Sequence, residues 1–247
     1  MPILQQLKME EVLLRRTGEN WLVMNKQMPG LAIVLGFSGK VAELVDVDRV
    51  RGAEEEVELI RRYTGGGTVI VDERTIFTSF IMNSADVPTC KPYPRDIMVW
   101  SKSMFAPIFD NVPSGVTFDL RDNDYILDNL KIGGNAQSII KDRWVHHTSF
   151  LWSYVPENMQ YLLMPKKQPE YRENRSHLDF LDTISRHIDK QETFEQKLLD
   201  SAGAVYEVQE QSIDDVLQLV QDAKRECPEK ELKLLVRTKP LLDQQDY

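Results

Sequence analysis

Apolar and polar positions along the chain alternate in many short segments, some with a period near 3.6 and more with a period of two. Residues 3–16 place Leu4, Leu7, Val12 and Leu14 on one stripe and end in Arg15-Arg16, which predicts an amphipathic helix with cations at its C-terminal pole. Gly18 is its expected stop. Residues 21–24 and 31–35 read as strands around a Pro29-Gly30 turn. The run Gly36-Phe37-Ser38-Gly39-Lys40 that follows lacks P-loop spacing and reads as a connection to a helix at 47–56. Strands are expected at 57–60, 68–71, 76–82, 115–120, 124–127 and 144–152, with 76–82 paired to 68–71 as a hairpin. The period at Ile97, Trp100, Met104 and Ile108 predicts a helix over 96–109, bent or ended by Pro107. Residues 156–163 suit a short helix and 165–175 a basic surface loop. Further helices are expected near 190–202 and 212–226, with a strand-like stretch at 204–208. The pattern is α+β, with a mixed, mostly antiparallel sheet flanked by helices, and not the even βαβ alternation of a dinucleotide fold.

Two stretches exceed what turns require. Arg61-Arg62-Tyr63-Thr64-Gly65-Gly66-Gly67-Thr68 sets three glycines between two strands, where a hairpin needs two turn residues. Glycine admits positive φ and lets a bulky group approach bare backbone, and the paired arginines offer forks suited to phosphate or carboxylate. About sixty residues on, Lys131 closes a short strand and runs directly into Gly133-Gly134-Asn135-Ala136. A lysine so placed can meet an anion lying on glycine backbone. His146 and His147 are adjacent on a strand, so they face opposite ways and do not chelate one metal together. One is expected in the core and the other at the pocket, while His177 and His187 read as surface residues.

Composition narrows the class without naming a chemistry. The 247 residues are 42% hydrophobic and 28% charged, ordinary for a globular chain. The net charge of −9 is concentrated in residues 189–247, which hold 14 acidic and 8 basic side chains. That is no general nucleic-acid footprint. No apolar run approaches the ~20 residues of a membrane helix, and Glu10-Glu11 argues against a transit peptide. Cys90 and Cys227 form neither a disulfide framework nor a CxxC site, which makes a reducing compartment, cytoplasm or mitochondrial matrix, the expectation. No GxSxG elbow or Cys-His pair supports a covalent hydrolase.

Taken together, the two stretches resemble the signatures of lipoate–protein ligases. Residues 61–72 are similar to the pattern RRxSGGGAVxHD, residues 131–137 with His146-His147 to K(I/V)SGxA…HHGTLL, and Asn123-Asp124 to an RND segment. The resemblance covers roughly residues 5–185. It implies a catalytic domain over 1–188, with 189–247 as a short acidic appendage, and a biotin/lipoate ligase-like core related to class II aminoacyl-tRNA synthetases. The implied reaction joins lipoate and ATP as lipoyl-AMP, with Mg²⁺ on the phosphates, and then acylates a lysine. The acceptors would be lipoyl domains of 2-oxoacid dehydrogenase complexes and the glycine-cleavage carrier.

By motif position, Lys131 is the implied catalytic residue at the acyl–phosphate junction. Arg62, Thr64, Gly65, Gly66, Gly67, Thr68, Val69, Ile70, Asn123, Asp124, Gly134, Ala136, His147 and Thr148 are the implied lipoate and ATP contacts. Val69, Ile70, Phe80 and Phe150 would form an acyl slot, each buried CH₂ contributing ~0.8 kcal/mol. No carboxylate cluster names metal ligands. Val71, Thr75, Gly133 and Thr148 depart from the family pattern. The basic loop with Lys166, Lys167, Arg172 and Arg175 is the local candidate for docking an acidic carrier. The short C-terminal segment leaves room for a separate accessory subunit. Two other readings keep the fold: an ATP-independent lipoyl or octanoyl transferase, which as an acyl-enzyme would need a pocket cysteine, and a ligand-binding subunit without turnover.

Overall fold

The computed structural model describes residues 1–165, 168–228 and 236–241. The first element is helix α1 (Ile3–Arg16), with Leu7, Val12, Leu13 and Leu14 fully buried. It ends without the glycine stop: Thr17 is extended, and its hydroxyl donates to the Leu13 carbonyl at 2.7 Å. Strands β1 (Trp21–Asn25) and β2 (Leu31–Leu35) follow. Short helices α2 (Val41–Leu44) and α3 (Val47–Arg51) stand where one helix over 47–56 was expected. Gly52 ends α3, its N–H bonded back to the Asp48 and Val50 carbonyls.

Next come β3 (Val57–Arg61), β4 (Val69–Val71) and β5 (Thr75–Asn83), and here the expected hairpin fails. β4 pairs with β2, whereas β5 lies between β1 and β9 (Arg143–Leu151). Helix α4 (Pro94–Phe105) passes into a 3-10 turn at Ala106–Phe109. Strands β6 (Phe118–Arg121) and β7 (Asp124–Leu127) make a hairpin, and β8 (Leu130–Ile140) joins β7 to β9. The glycines after Lys131 are therefore inside a strand, not beyond the end of one. Helix α5 (His177–Phe180), α6 (Gln191–Gly203), α7 (Ile213–Arg225) and strand β10 (Lys239–Pro240) complete the described elements, and 204–208 forms no strand.

The strands form a six-stranded sheet, β1-β5-β9-β8-β7-β6, and a four-stranded one, β10-β3-β2-β4. Among the described strand pairs, β2–β3 alone is parallel. Because strand side chains alternate, β5 and β9 serve two cores at once. Ile76, Phe80, Trp144 and Phe150 pack with α4 and α6 through Phe105, Trp100, Phe194 and Leu198. Ile81 and Val145 pack on the other face with α1 and α7 through Val12, Leu13, Val216 and Val220. Phe80 and Phe150 thus sit in the α4-side core and line no slot, which corrects that assignment.

The 189–247 segment contributes to these same layers. Phe194 is fully buried, 5.3 Å edge-on from Phe150 and in one cluster with Ile188. Glu11 of α1 accepts hydrogen bonds from the backbone of Arg237 (2.7 Å) and Thr238 (3.1 Å), which seats β10 at the edge of the small sheet. No described helix is long and apolar enough to cross a membrane.

Phe194→Ala removes a ring from a closed aromatic cluster and is expected to lower unfolding free energy by about 3–5 kcal/mol, read by urea denaturation. Truncation after residue 188 is expected to lower the melting temperature at least as much. A truncated chain with the full-length melting temperature would show the segment to be dispensable.

Candidate functional site

The triple-glycine loop is not a hairpin tip. It leaves β3, passes the end of β2 and enters β4, so it must cross between the two strands that flank β2. Three contacts set its path. The Phe37 N–H donates to the Thr64 carbonyl (2.9 Å), the Arg62 N–H to Leu35 (2.9 Å), and the Gly65 N–H reaches the Gln137 carbonyl of β8 (3.2 Å). Gly66 has φ +97°, and a Cβ there would stand 2.9 Å from Arg62 Nη2 and 3.0 Å from the Asn135 carbonyl oxygen. Gly65 and Gly67 face open space, so sterics demand only the central glycine. Gly36, read as a mere connection, is equally constrained: its Cβ would fall 2.2 Å from the Gly66 carbonyl oxygen.

Arg62 is 3% exposed and holds the loop from inside. Nη2 donates to the carbonyls of Gly65 (3.0 Å) and Gly67 (2.7 Å), Nε to Gly65 (3.3 Å), and Nη1 to Val34 (3.2 Å). Burial pulls its pKa down to about 10. A second buried chain reaches the loop from α1. The Glu10 carboxylate, fully buried, accepts from Gln6 Nε2 (2.8 Å), Ser79 Oγ (2.5 Å) and His147 Nδ1 (3.1 Å). His147 Nε2 lies 3.3 Å from Thr64 Oγ1. With Nδ1–H directed at a carboxylate, Nε2 of the neutral ring is left to accept from Thr64. Desolvation depresses the His147 pKa, the Arg62 charge adds to that, and Glu10 opposes it. Glu10 escaped the sequence reading, although it stands three residues after Leu7 and four before Leu14, on the stripe those leucines mark.

These elements close around a cavity of about 1050 Å³. Of the expected contacts, Arg62, Gly66, Gly67, Thr68, Val69, Ile70, Asn123, Asp124, Lys131, Gly134, Ala136 and His147 line it. Thr64, Gly65 and Thr148 do not. Thr148 is buried and donates to Asn135 Oδ1 at 2.7 Å, and Thr64 is buried beneath the loop. Lys131 Nζ stands 2.7 Å from Asp124 Oδ1, while Tyr171 Oη donates to Asp124 Oδ2 at 2.8 Å. One carboxylate thus holds both a cation and a phenol. Thr68 Oγ1 is buried on the wall without a hydrogen-bond partner among the described residues.

The sequence reading missed much of the apolar wall: Leu44, Phe77, Leu151, Met159, Leu162, Phe180 and Leu181. It also misplaced several charged groups. Arg172 is 5% exposed and lines the cavity, its guanidinium 4.9 Å from the Phe180 ring centroid. A delocalised planar cation tolerates such cover on an aromatic face. Arg175 also lies on Phe180, at 5.2 Å, and bonds to the Tyr171 carbonyl at 2.7 Å. The basic docking loop therefore loses two members to packing, and Lys166 and Lys167 lie outside the described residues. His177 is on the cavity wall. His187 is held between Ser114 Oγ and Asp182 Oδ2, each at 2.8 Å. Neither is the surface residue expected. Among the described residues no three His, Cys, Asp or Glu side chains cluster as a metal site.

The lipoyl protein ligase A/B catalytic-domain family model matches residues 2–201. A curated relative, inactive lipoate–protein ligase 2 of Plasmodium falciparum, is 30% identical over 197 residues, 68% of this chain and 50% of the relative. The chain spans about half the length of that protein. A bipartite lipoate protein ligase of Thermoplasma acidophilum, from an archaeal lipoylation system studied with its E2 lipoyl domain, superposes with TM-score 0.71 at 16% identity. That match covers 97% of this chain and 94% of the other. A lipoate-protein ligase A bound with ATP gives 0.68 at 16% identity, covering 94% of each chain. Likeness at that identity establishes the fold.

His146, on the face opposite His147, is fully buried with Nε2 3.1 Å from Tyr125 Oη and Nδ1 3.1 Å from Gln137 Nε2. Burial pushes its pKa down to about 3. The folded state thus holds the ring neutral while the unfolded chain protonates near its ordinary value of 6.5. Its contribution to stability is full above about pH 6.5 and is lost as pH falls toward 3. The expected slope is up to ~1.4 kcal/mol per pH unit, measured by denaturation between pH 7 and 4. His146→Gln is expected to flatten that slope.

Proposed function

The chain belongs to the lipoyl protein ligase A/B catalytic-domain family, and on that premise we propose that it activates lipoate with ATP as lipoyl-AMP and transfers the acyl group to a protein lysine. The acceptors on this reading are lipoyl domains of 2-oxoacid dehydrogenase complexes and the glycine-cleavage carrier, with a separate accessory subunit as a further partner. The observation that supports it is one cavity in which Lys131, the bare backbone at Gly66 and Gly67, and an apolar wall meet.

Adenylation needs positive charge where negative charge gathers on the α-phosphate and the attacking carboxylate. Lys131 supplies it, exchanging part of its bond to Asp124 for phosphate oxygen. The unpartnered Thr68 hydroxyl is a donor at the same wall. Val69, Ile70, Phe77 and Leu181 cover the acyl chain and keep water from the mixed anhydride. Arg62 acts indirectly, since its donors are committed to the loop carbonyls. Mg²⁺ arriving with ATP would neutralise phosphate charge, and holding it would ask for only one or two protein carboxylates. Asp122, exposed on the wall, fits that share.

The name of the Plasmodium relative favours a second reading, a subunit that binds ligand without turnover. An acyl-enzyme transferase is disfavoured: Cys90 is in the α4-side core with its thiol pushed up to about 11, and Cys227 packs beside α7. Neither lines the cavity.

Lipoate-dependent exchange of pyrophosphate into ATP separates these readings, and its absence in the intact chain would leave only the binding role or the transferase. Lys131→Ala is expected to lower both exchange and lipoylation ~10²–10³-fold with little change in melting temperature. A double Cys90→Ser, Cys227→Ser variant is expected to keep lipoylation within about twofold, because an adenylate route uses no enzyme thiol.

A further inference from the structure

Three of the four histidines are tied at both ring nitrogens: His146 to Tyr125 and Gln137, His147 to Glu10 and Thr64, His187 to Ser114 and Asp182. His177 differs. Neither of its nitrogens has a hydrogen-bond partner among the described residues, yet it is half-buried on the cavity wall that also carries Lys131. Its place is fixed from behind. It opens α5, which Ser176 caps by accepting the Asp179 N–H at 3.2 Å, and Phe180 of α5 packs on Tyr171 at 5.1 Å. An imidazole on a cavity wall, its nitrogens without partners among the described residues, has a chemical use that a structural histidine lacks.

We propose that His177 is the general base for acyl transfer, accepting a proton from the acceptor's ε-ammonium as that group enters the cavity. The assignment rests on the acyl-adenylate reading given above. The amine arrives as –NH₃⁺ and is not nucleophilic. One proton passes to an imidazole nitrogen of His177, freeing the nitrogen lone pair. That pair forms the C–N bond at the acyl carbonyl, and the C–O bond to phosphate breaks with its electrons leaving on AMP. The second proton lost from nitrogen goes to water, and the half-exposed imidazolium returns its own proton to solvent.

The other groups on the wall are less suited. Lys131 is a cation paired with Asp124, and Asp124 already accepts from two donors. Arg172 is a packed guanidinium. The charges that bear on His177 are Arg172 and Lys131, and together with desolvation, the largest cause, they depress its pKa. The ring is therefore neutral, and able to accept, at neutral pH. On its own helix Asp179 is engaged with Ser176, and the wall's carboxylates besides Asp124 are Asp122 and Glu170.

The test supplies preformed lipoyl-AMP and an isolated lipoyl domain, so transfer is measured whether or not the chain makes its own adenylate. His177→Gln is expected to cut transfer by roughly 10²-fold, the usual scale of a lost general base, while lipoyl-AMP affinity by calorimetry changes far less. Wild-type transfer is expected to be flat at neutral pH and to fall on acidification below the ordinary imidazole value, whereas the variant, dependent on amine deprotonated by solvent, is expected to lose that plateau and rise steadily with pH. Imidazole added to His177→Ala is expected to restore part of the rate. An unchanged rate in His177→Gln, a loss matched by equal loss of affinity, or a loss produced by Glu170→Gln alone would overturn the assignment. Failure of pyrophosphate exchange in the wild type, with transfer intact, would count against ATP activation and not against His177.

Discussion

A guanidinium without a carboxylate organises the centre of this molecule. Arg62 is buried and makes no ion pair among the described residues, so its charge is met by the carbonyls of Val34, Gly65 and Gly67. A buried cation left unsatisfied is strongly destabilising, so these three oxygens must converge. Two of them belong to the glycine loop and the third to β2. The charge therefore fixes the loop against the end of the small sheet, and the Gly65–Gln137 bond carries that placement to the large one.

The same economy appears around Glu10 and Asp124. Each is a carboxylate in the interior or at its edge, and each accepts from several donors, at least one of them from a distant part of the chain. Glu10 gathers α1, β5 and β9, while Asp124 gathers Lys131 and Tyr171. Hydrogen bonds to a charged acceptor are stronger than neutral ones and strengthen further where water is excluded. The cavity wall is thus set by ionised groups, whereas the sheets behind it are set by apolar packing. The net charge of −9 says little about a wall that carries Lys131, Arg95 and Arg172.

Much of the fold could be read because strand alternation and helix period are local properties. α1, β2 and β9 appear within a residue of their expected bounds, and the stretch expected as one helix over 96–109 divides into α4 and the 3-10 turn at Ala106–Phe109, where Pro107 stands. Pairing is not local, and it was misread. The chain spacing of 68–71 and 76–82 invites a hairpin, but β4 completes the small sheet beside β2 while β5, apolar on both faces, takes an interior place in the large one between β1 and β9. Phe80 and Phe150 were placed in a ligand slot for the same reason: alternation shows that a residue is buried, not which of two cores receives it.

What the sequence by itself determined is the pair of motifs, 61–72 and 131–137, and through them the family, with nine of their expected contacts lining one cavity beside Asn123, Asp124 and His147. Glycine runs beside arginine or lysine are visible without coordinates because glycine's permissiveness is intrinsic to the residue. Only the tertiary structure decided that Gly36 must be bare because Gly66 presses on it. It alone placed Glu10 under His147, and it moved Arg172 and His177 from an imagined surface to the cavity wall. Those facts depend on segments tens of residues apart meeting at van der Waals distance, and no window of sequence contains both partners.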